Sequence, residues 1–279
     1  MTPLIGANEL LLLAGHELFT LIDARSGIDA RERYAAGHLK GALHVHLEDD
    51  LSDICEDLSQ GGRHPLPSPK RFGVLLGQLG ISPESRVVVY DDAGGSSAAA
   101  RFWWMLRASG HSQVQVLNGG MQAAITAGFP VSALPFKPNT APNYPVTEWK
   151  LPVRDMQQTA KAATDIRFLV VDVREEDRYL GFIEPIDNIA GHIPGAVNLP
   201  YTWNLDENRF FLDAVTLRKM FTEFFDGRPA DQVIVHCGSG VTACHTLLAI
   251  DYAGLEIPPI YTGSWSEWSR NGMPIGTSV

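Results

Sequence analysis

The first half of this 279-residue chain is repeated, segment by segment, in the second. Leu21-Ile22-Asp23-Ala24-Arg25 returns as Val170-Val171-Asp172-Val173-Arg174. Ala36-Gly37-His38-Leu39-Lys40-Gly41-Ala42 returns as Ala190-Gly191-His192-Ile193-Pro194-Gly195-Ala196. Val87–Asp91 is matched by Val233–Cys237, Asn118–Met121 by Thr262–Trp265, and Gly128-Phe129-Pro130 by Gly272-Met273-Pro274. Five matches in the same order read as a tandem duplication, so each half must bury a core of its own. Within each half, short β-branched apolar runs alternate with helical stretches. That pattern is an α/β domain with a mostly parallel sheet flanked by helices, and its ligands belong at the carboxyl ends of the strands. The boundaries expected are a non-catalytic domain over 1–134, a linker over 135–152 and a catalytic domain over 153–279. Pro135, Pro138, Pro142, Pro145 and Pro152 make the linker extended and stiff. Residues 4–20 read as helical.

The halves differ where chemistry would occur. Val233-Ile234-Val235 is a short buried strand, His236 and Cys237 stand at its end, and Gly238-Ser239-Gly240 turns the chain into a helix that starts at Thr242. Successive N–H groups in such a turn converge on one point, and the following helix dipole adds to the attraction for an anion. A free thiol titrates near ~8.5, and settings of this kind lower that by about one to several units. The alternative is a thiol buried for packing alone. Asp91 takes the place of Cys237 in the first half, so that half has no thiol chemistry at its matching turn, and a carboxylate there would repel an anionic ligand.

Charge narrows the partners. Lys and Arg total 22 against 32 Asp and Glu, a formal net charge of −10, which argues against nucleic acid and against an anionic membrane surface. An anionic substrate would need local cations to overcome that field. Three cysteines, Cys55, Cys237 and Cys244, fit a reducing compartment with no disulfide framework. The apolar run Leu10–Leu13 is short, flanked by Glu9, His16 and Glu17, and lacks a basic start or cleavage site. A cytoplasmic location is the expectation.

With the repeat and the turn established, the chain resembles the two-domain sulfurtransferases of the rhodanese superfamily over nearly its whole length. The fold this implies is α/β, two tandem rhodanese-like domains, each a mostly parallel sheet flanked by helices. The matching residues are the two Asp-x-Arg segments, the two Gly-His-x-x-Gly-Ala turns, Trp103-Trp104-Met105, Asn118-Gly119-Gly120 and Arg178-Tyr179-Leu180-Gly181. To these is added the loop Cys237-Gly238-Ser239-Gly240-Val241-Thr242, which is similar to that of 3-mercaptopyruvate-using members; thiosulfate-preferring members usually carry basic residues at the positions of Gly238 and Ser239. The resemblance implies a Cys237 persulfide, formed by attack on the sulfur of 3-mercaptopyruvate, with thiosulfate the alternative donor. The acceptor would be a thiol such as thioredoxin or glutathione, or cyanide. Backbone N–H groups of Gly238, Ser239, Gly240, Val241 and Thr242 would hold the persulfide anion with no cofactor and no metal. The resemblance gives the donor carboxylate to Arg178. Arg174 is the lesser candidate for substrate contact, because its counterpart Arg25 lies in the inactive half. A second arginine, found in some members within Glu-Pro-Arg-Asp, is absent: the segment reads Glu184-Pro185-Ile186-Asp187. By the same resemblance, Ser239 would move a proton on or off the donor thiol, backed by His64 and Glu48.

Other readings meet specific obstacles. His236-Cys237 with a glycine loop suggests a cysteine phosphatase, but that chemistry needs an arginine six residues after the cysteine, and Ala243 stands there. A sulfur carrier or protein-binding module without turnover remains open, since the Asp91 half would be the same fold without a thiol. His44 and His46 could share one strand face, yet two histidines without a third ligand make a weak metal site. The Gly94-Gly95-Ser96-Ser97 turn lacks the lysine of a phosphate loop.

Overall fold

A computed structural model of the chain describes residues 1–277. The chain forms two compact units, and short segments cross from each sequence half into the other's unit. The first comprises Met1–Ser52, Pro67–Lys150 and Glu207–Phe211; the second comprises Asp53–Leu66, Leu151–Asp206 and Leu212 onwards.

In the first unit the strands are β1 (Leu4–Ile5), β2 (Thr20–Asp23), β3 (His38–Leu39), β4 (Ala42–His44), β5 (Val87–Tyr90), β6 (Val114–Leu117) and β7 (Val131–Ser132). The helices are α1 (Ala7–His16), α2 (Ala30–Ala36), α3 (Leu47–Asp50), α4 (Pro69–Gln78), α5 (Ala98–Ala108) and α6 (Gly120–Thr126). Five strands build a parallel sheet in the order β1-β6-β5-β2-β4, while β3 and β7 pair antiparallel beside it. The expectation of helix over 4–20 fails at both ends. Leu4 and Ile5 pair with Val116 and Leu117 as an edge strand, the helix begins only after Gly6, and Thr20 already pairs with Val87. Two apolar residues before a glycine are too few to carry a helical period, and the open edge of β6 captures them. Trp103 and Trp104 are fully buried in α5.

The second unit contains β8 (Val153–Arg154), β9 (Leu169–Asp172), β10 (Val197–Asn198), β11 (Val233–His236) and β12 (Ile260–Tyr261). Its helices are α7 (Met156–Ala163), α8 (Glu176–Leu180), α9 (Ala214–Phe225), α10 (Thr242–Tyr252) and α11 (Ser264–Trp268). Its sheet is also wholly parallel, in the order β8-β12-β11-β9-β10, which repeats the first sheet strand for strand. The central strands β5 and β11 are fully buried, in keeping with their unbroken apolar runs.

The proline-rich stretch runs along α4. Ala141 and Tyr144 donate their N–H groups to the carbonyls of Gly77 and Gly73, at 2.8 and 2.9 Å. Side chains at those glycines would meet backbone at 2.9 and 2.6 Å, so their smallness opens the groove. The exchanged residues are equally well held. Phe211 N–H donates to Asn118 Oδ1 at 3.0 Å within the first unit. In the second, Gly61 N–H donates to Glu267 Oε1 at 2.9 Å and Arg63 N–H to Ser266 Oγ at 3.1 Å.

Each unit carries one buried ion pair in the same place. Arg25 Nε donates to both Asp23 oxygens at 3.0 Å, and Arg25 Nη2 reaches Asp23 Oδ2 at 2.7 Å and the Gly37 carbonyl at 2.8 Å. Arg174 makes the matching bonds to Asp172, at 3.0, 3.0 and 2.6 Å, and to the Gly191 carbonyl at 2.7 Å. These bonds tie the end of a central strand to the Gly-His turn, which explains why both motifs recur together. Removing the cation from such a buried pair costs about 3–5 kcal/mol. Arg25→Ala should therefore lower the stability of the first unit by that order in urea unfolding followed by tryptophan fluorescence. A loss below about 1 kcal/mol would assign the pair no structural weight.

Candidate active site

Cys237 follows β11 directly and is 2% exposed. The loop after it is fastened from behind: Trp265 N–H donates to the Cys237 carbonyl at 3.1 Å and Ser266 N–H to the Gly238 carbonyl at 2.8 Å. Cys237 N–H in turn donates to Ser264 Oγ at 3.2 Å. Gly240 has φ of +75°, and a Cβ there would lie 2.4 Å from the Thr262 carbonyl oxygen. Both the conformation and the space demand glycine. Val241 precedes the first turn of α10, and Thr242 is its first residue. The thiol of Cys244 donates to the Gly240 carbonyl at 3.3 Å, on the buried side of the same helix.

Around this loop the second unit gathers four arginines and three carboxylates into one network of ion pairs. Arg174 pairs with Asp172 and, through Nη1, with Glu184 at 3.3 Å; its guanidinium also lies 4.8 Å from the Trp265 ring centroid. Arg178 pairs with Glu184 at 2.7 Å and stands 3.8 Å from Asp187. Arg270 meets Asp187 at 2.7 Å, and Arg63 Nη1 pairs with the other oxygen of that carboxylate. Burial alone would raise the Asp172 carboxyl, but Arg174 and His236 outweigh it and hold the group below the usual range. Asp187 is likewise held low against its burial, by Arg63 and Arg270. His236, buried beneath Cys237, is pushed down chiefly by its loss of solvent, with Asp172 opposing, and so is neutral at pH 7.

Ser239 and His64 meet across this loop, with 2.8 Å between Ser239 Oγ and His64 Nδ1. His64 reaches it from the crossing segment 53–66, which belongs to the second unit. Arg178 sits on α8, and a Cβ on Gly238 would lie 3.5 and 3.6 Å from its Nη2 and Nη1. Arg174 lies deeper: every nitrogen of its guanidinium faces Asp172, Glu184 or the Gly191 carbonyl. Glu48 lies in the first unit on α3, its Oε2 3.3 Å from His46 Nδ1. Arg63, Glu184 and Asp187 escaped the sequence reading. The signal for Arg63 was its place beside His64 in a chain that lacks an arginine at 186.

The first unit supplies an internal comparison. At the turn after β5, Asp91 Oδ1 accepts from the N–H groups of Ala93 at 2.9 Å and Gly95 at 2.8 Å, and Oδ2 from Ser97 at 3.2 Å. The chain's own carboxyl group thus sits at the focus of that turn. Counted from Cys237, the same positions are Ser239, Val241 and Ala243.

The rhodanese-like domain family matches residues 6–127 and again 153–271. The chain belongs to the rhodanese family. A probable 3-mercaptopyruvate sulfurtransferase of Pseudomonas aeruginosa is 38% identical over 273 residues, 95% of this chain and 94% of that protein. A thiosulfate sulfurtransferase of Rattus norvegicus is 37% identical over 252 residues, covering 88% of this chain and 82% of the relative. Among solved structures, the 3-mercaptopyruvate sulfurtransferase of Leishmania major superposes with a TM-score of 0.78 at 28% identity, covering 93% of this chain and 72% of that one. Among the described residues of this rhodanese-family chain, no helix is long and apolar enough to cross a membrane.

Gly240→Ala tests how the Cys237 loop is held. Forcing a side chain into the left-handed region costs about 1–2 kcal/mol, and the 2.4 Å approach to Thr262 adds to it. The variant should lose at least that much stability in chemical denaturation and should alkylate at Cys237 at a changed rate. Wild-type stability would show that the loop tolerates a Cβ.

Proposed function

We propose that this chain, a sulfurtransferase by its kinship with full-length relatives, carries sulfane sulfur from 3-mercaptopyruvate to a thiol through a persulfide on Cys237. The observation that carries this reading is the 2.8 Å contact between Ser239 and His64 beside Cys237, because it supplies a proton path that this donor needs. 3-Mercaptopyruvate reacts as a thiol. The Cys237 thiolate attacks its sulfur, the new S–S bond forms, and the C–S electron pair passes to carbon. The thiol proton must leave the sulfur, and a proton must reach the carbon, before pyruvate departs and Cys237 is left as a persulfide anion. Ser239 and His64 are the groups we assign to that transfer, and a positioned acid–base pair contributes typically about 10²–10⁴-fold. Glu48 is carried as a further member of the relay on family resemblance alone.

The persulfide anion would rest among the N–H groups from Gly238 to Thr242. Asp91 in its own turn illustrates this mode of binding, since backbone donors there hold both oxygens of a carboxyl group at hydrogen-bond distance. An acceptor thiolate, from thioredoxin, glutathione or another small thiol, then attacks the outer sulfur and regenerates the Cys237 thiolate. Cyanide can take the sulfur in the same way. Arg178 would orient the donor carboxylate, with Glu184 fixing one side of its guanidinium. For Arg174 we propose a bracing role, since its nitrogens already face Asp172, Glu184 and Gly191.

Thiosulfate, the donor named for the Rattus norvegicus relative, separates the steps. It has no S–H proton to relocate, so the Ser239–His64 pair has no work to do with it. Ser239→Ala and His64→Gln should each lower kcat with 3-mercaptopyruvate by about 10²-fold or more and leave thiosulfate turnover within a few-fold. Equal losses on both donors would overturn the proton-transfer assignment. Cys237→Ser should abolish transfer from either donor, and intact-protein mass spectrometry should find a gain of one sulfur atom on the wild type only. Arg178→Gln should raise KM about tenfold for 3-mercaptopyruvate with a smaller effect on kcat, and an unchanged KM would remove Arg178 from the donor site.

A further inference from the structure

The segment Glu184-Pro185-Ile186-Asp187 brings no arginine to stand beside Arg178. Ile186 is 54% exposed and brings no charge. Yet Gly238, the residue after Cys237, is bordered by two guanidinium groups. A Cβ on it would lie 3.3 Å from Arg63 Nη2, closer than either nitrogen of Arg178 at 3.5 and 3.6 Å. Gly238 is outside the left-handed region, and the space beside it is bordered by both cations.

Arg63 is also built into place. Its backbone N–H donates to Ser266 Oγ at 3.1 Å, and its Nη1 pairs with Asp187, a buried carboxylate whose other oxygen is held by Arg270 at 2.7 Å. The turn before it is equally constrained: Gly62 has φ of +76°, and a Cβ there would approach the Gly263 carbonyl oxygen to 2.6 Å. Asp187 thus holds Arg63 by Nη1 and leaves Nη2 toward Gly238. Among the described residues, the ion-paired network counts four cations, Arg63, Arg174, Arg178 and Arg270, against three carboxylates, Asp172, Glu184 and Asp187. One positive charge is left over beside the loop of a chain whose net charge is −10.

We infer that Arg63 is the second cation of the donor site: with Arg178 it forms a two-arginine clamp on the anionic group of the sulfur donor. The second guanidinium comes from the segment that also carries His64. The same residue then places positive charge beside the loop without a basic side chain inside it. This inference rests on the reading of Cys237 as the sulfur-carrying thiol, and its test is chosen to fail separately from that reading.

Alkylation of Cys237 by iodoacetate and by iodoacetamide uses the same thiolate, so the ratio of the two rates reports the local field on an anion and needs no sulfur transfer. In Arg63→Gln this ratio should fall about three- to tenfold, KM for 3-mercaptopyruvate should rise about tenfold, and kcat should stay within about twofold. Arg63→Lys, which keeps the charge but not the fork, should retain most of the ratio while KM still rises a few-fold. If Arg63→Gln unfolds because Asp187 has lost a cation, Arg63→Gln/Asp187→Asn removes that charge too and is read in the same way. An unchanged ratio and KM in the folded variant overturns the assignment. A fallen ratio in a protein that transfers no sulfur from either donor upholds Arg63 as the cation at the thiol and overturns the sulfur-transfer reading instead.

Discussion

A buried arginine that closes on the aspartate two residues before it is the constraint on which both units depend. In a parallel sheet the strand ends collect carbonyls and carboxylates at low dielectric, and a charge left there unpaired is costly. Asp23 and Asp172 sit at that end, fully buried, and each is neutralised by a guanidinium that goes on to hold a glycine carbonyl of the Gly-His turn. The turn is then locked by a second set of contacts. Tyr34 and Tyr179 stack on His38 and His192, with centroids 4.0 Å apart in both units, and their hydroxyls donate to the carbonyls of Ala42 and Ala196. Strand end, turn and the next strand are fixed as one piece.

The second unit extends this piece into chemistry. Arg174 has one nitrogen beyond what Asp172 and Gly191 take up, and it gives that nitrogen to Glu184. Glu184 in turn orients Arg178 and accepts the N–H groups of Ile186 and Asp187. Asp187 then collects Arg270 and Arg63. A structural pair thereby becomes the root of a chain of charges that ends beside Cys237. The first unit stops at the pair itself, with Tyr90 donating to Asp23 at 2.7 Å where the second unit has His236.

Much of this was legible in the chain. Ordered repeats disclosed two like units, and the run from Val233 to Thr242 located the thiol at a strand end before a helix. The repeat also placed Arg174 in an Asp-x-Arg segment that Arg25 shares, and both close on the aspartate two residues before. Other features were hidden for physical reasons. The edge strand Leu4–Ile5 is two residues long and exists only because β6 offers it hydrogen bonds. The crossing of residues 53–66 and 207–211 between units depends on tertiary contacts that no local pattern encodes. Arg63 lies 174 residues before Cys237, so its approach to Gly238 is a product of that crossing.

The two turns finally differ in what occupies their focus. Both have a strand end, a glycine-rich loop and a helix start, and both are suited to gather N–H groups on an anion. In the first, the Asp91 carboxyl fills that focus itself, bonded to Ala93, Gly95 and Ser97, and its burial raises its pKa despite those bonds. A site already filled by a side chain has no room for a ligand. In the second, the equivalent side chain is a thiol, shorter in reach and able to be extended by one sulfur. In the proposed mechanism a persulfide would put its negative charge one bond further out, toward the donors that the Asp91 side chain reaches. On the reading proposed for Cys237, the same backbone device serves as a structural plug in one unit and as the resting place of a reaction intermediate in the other.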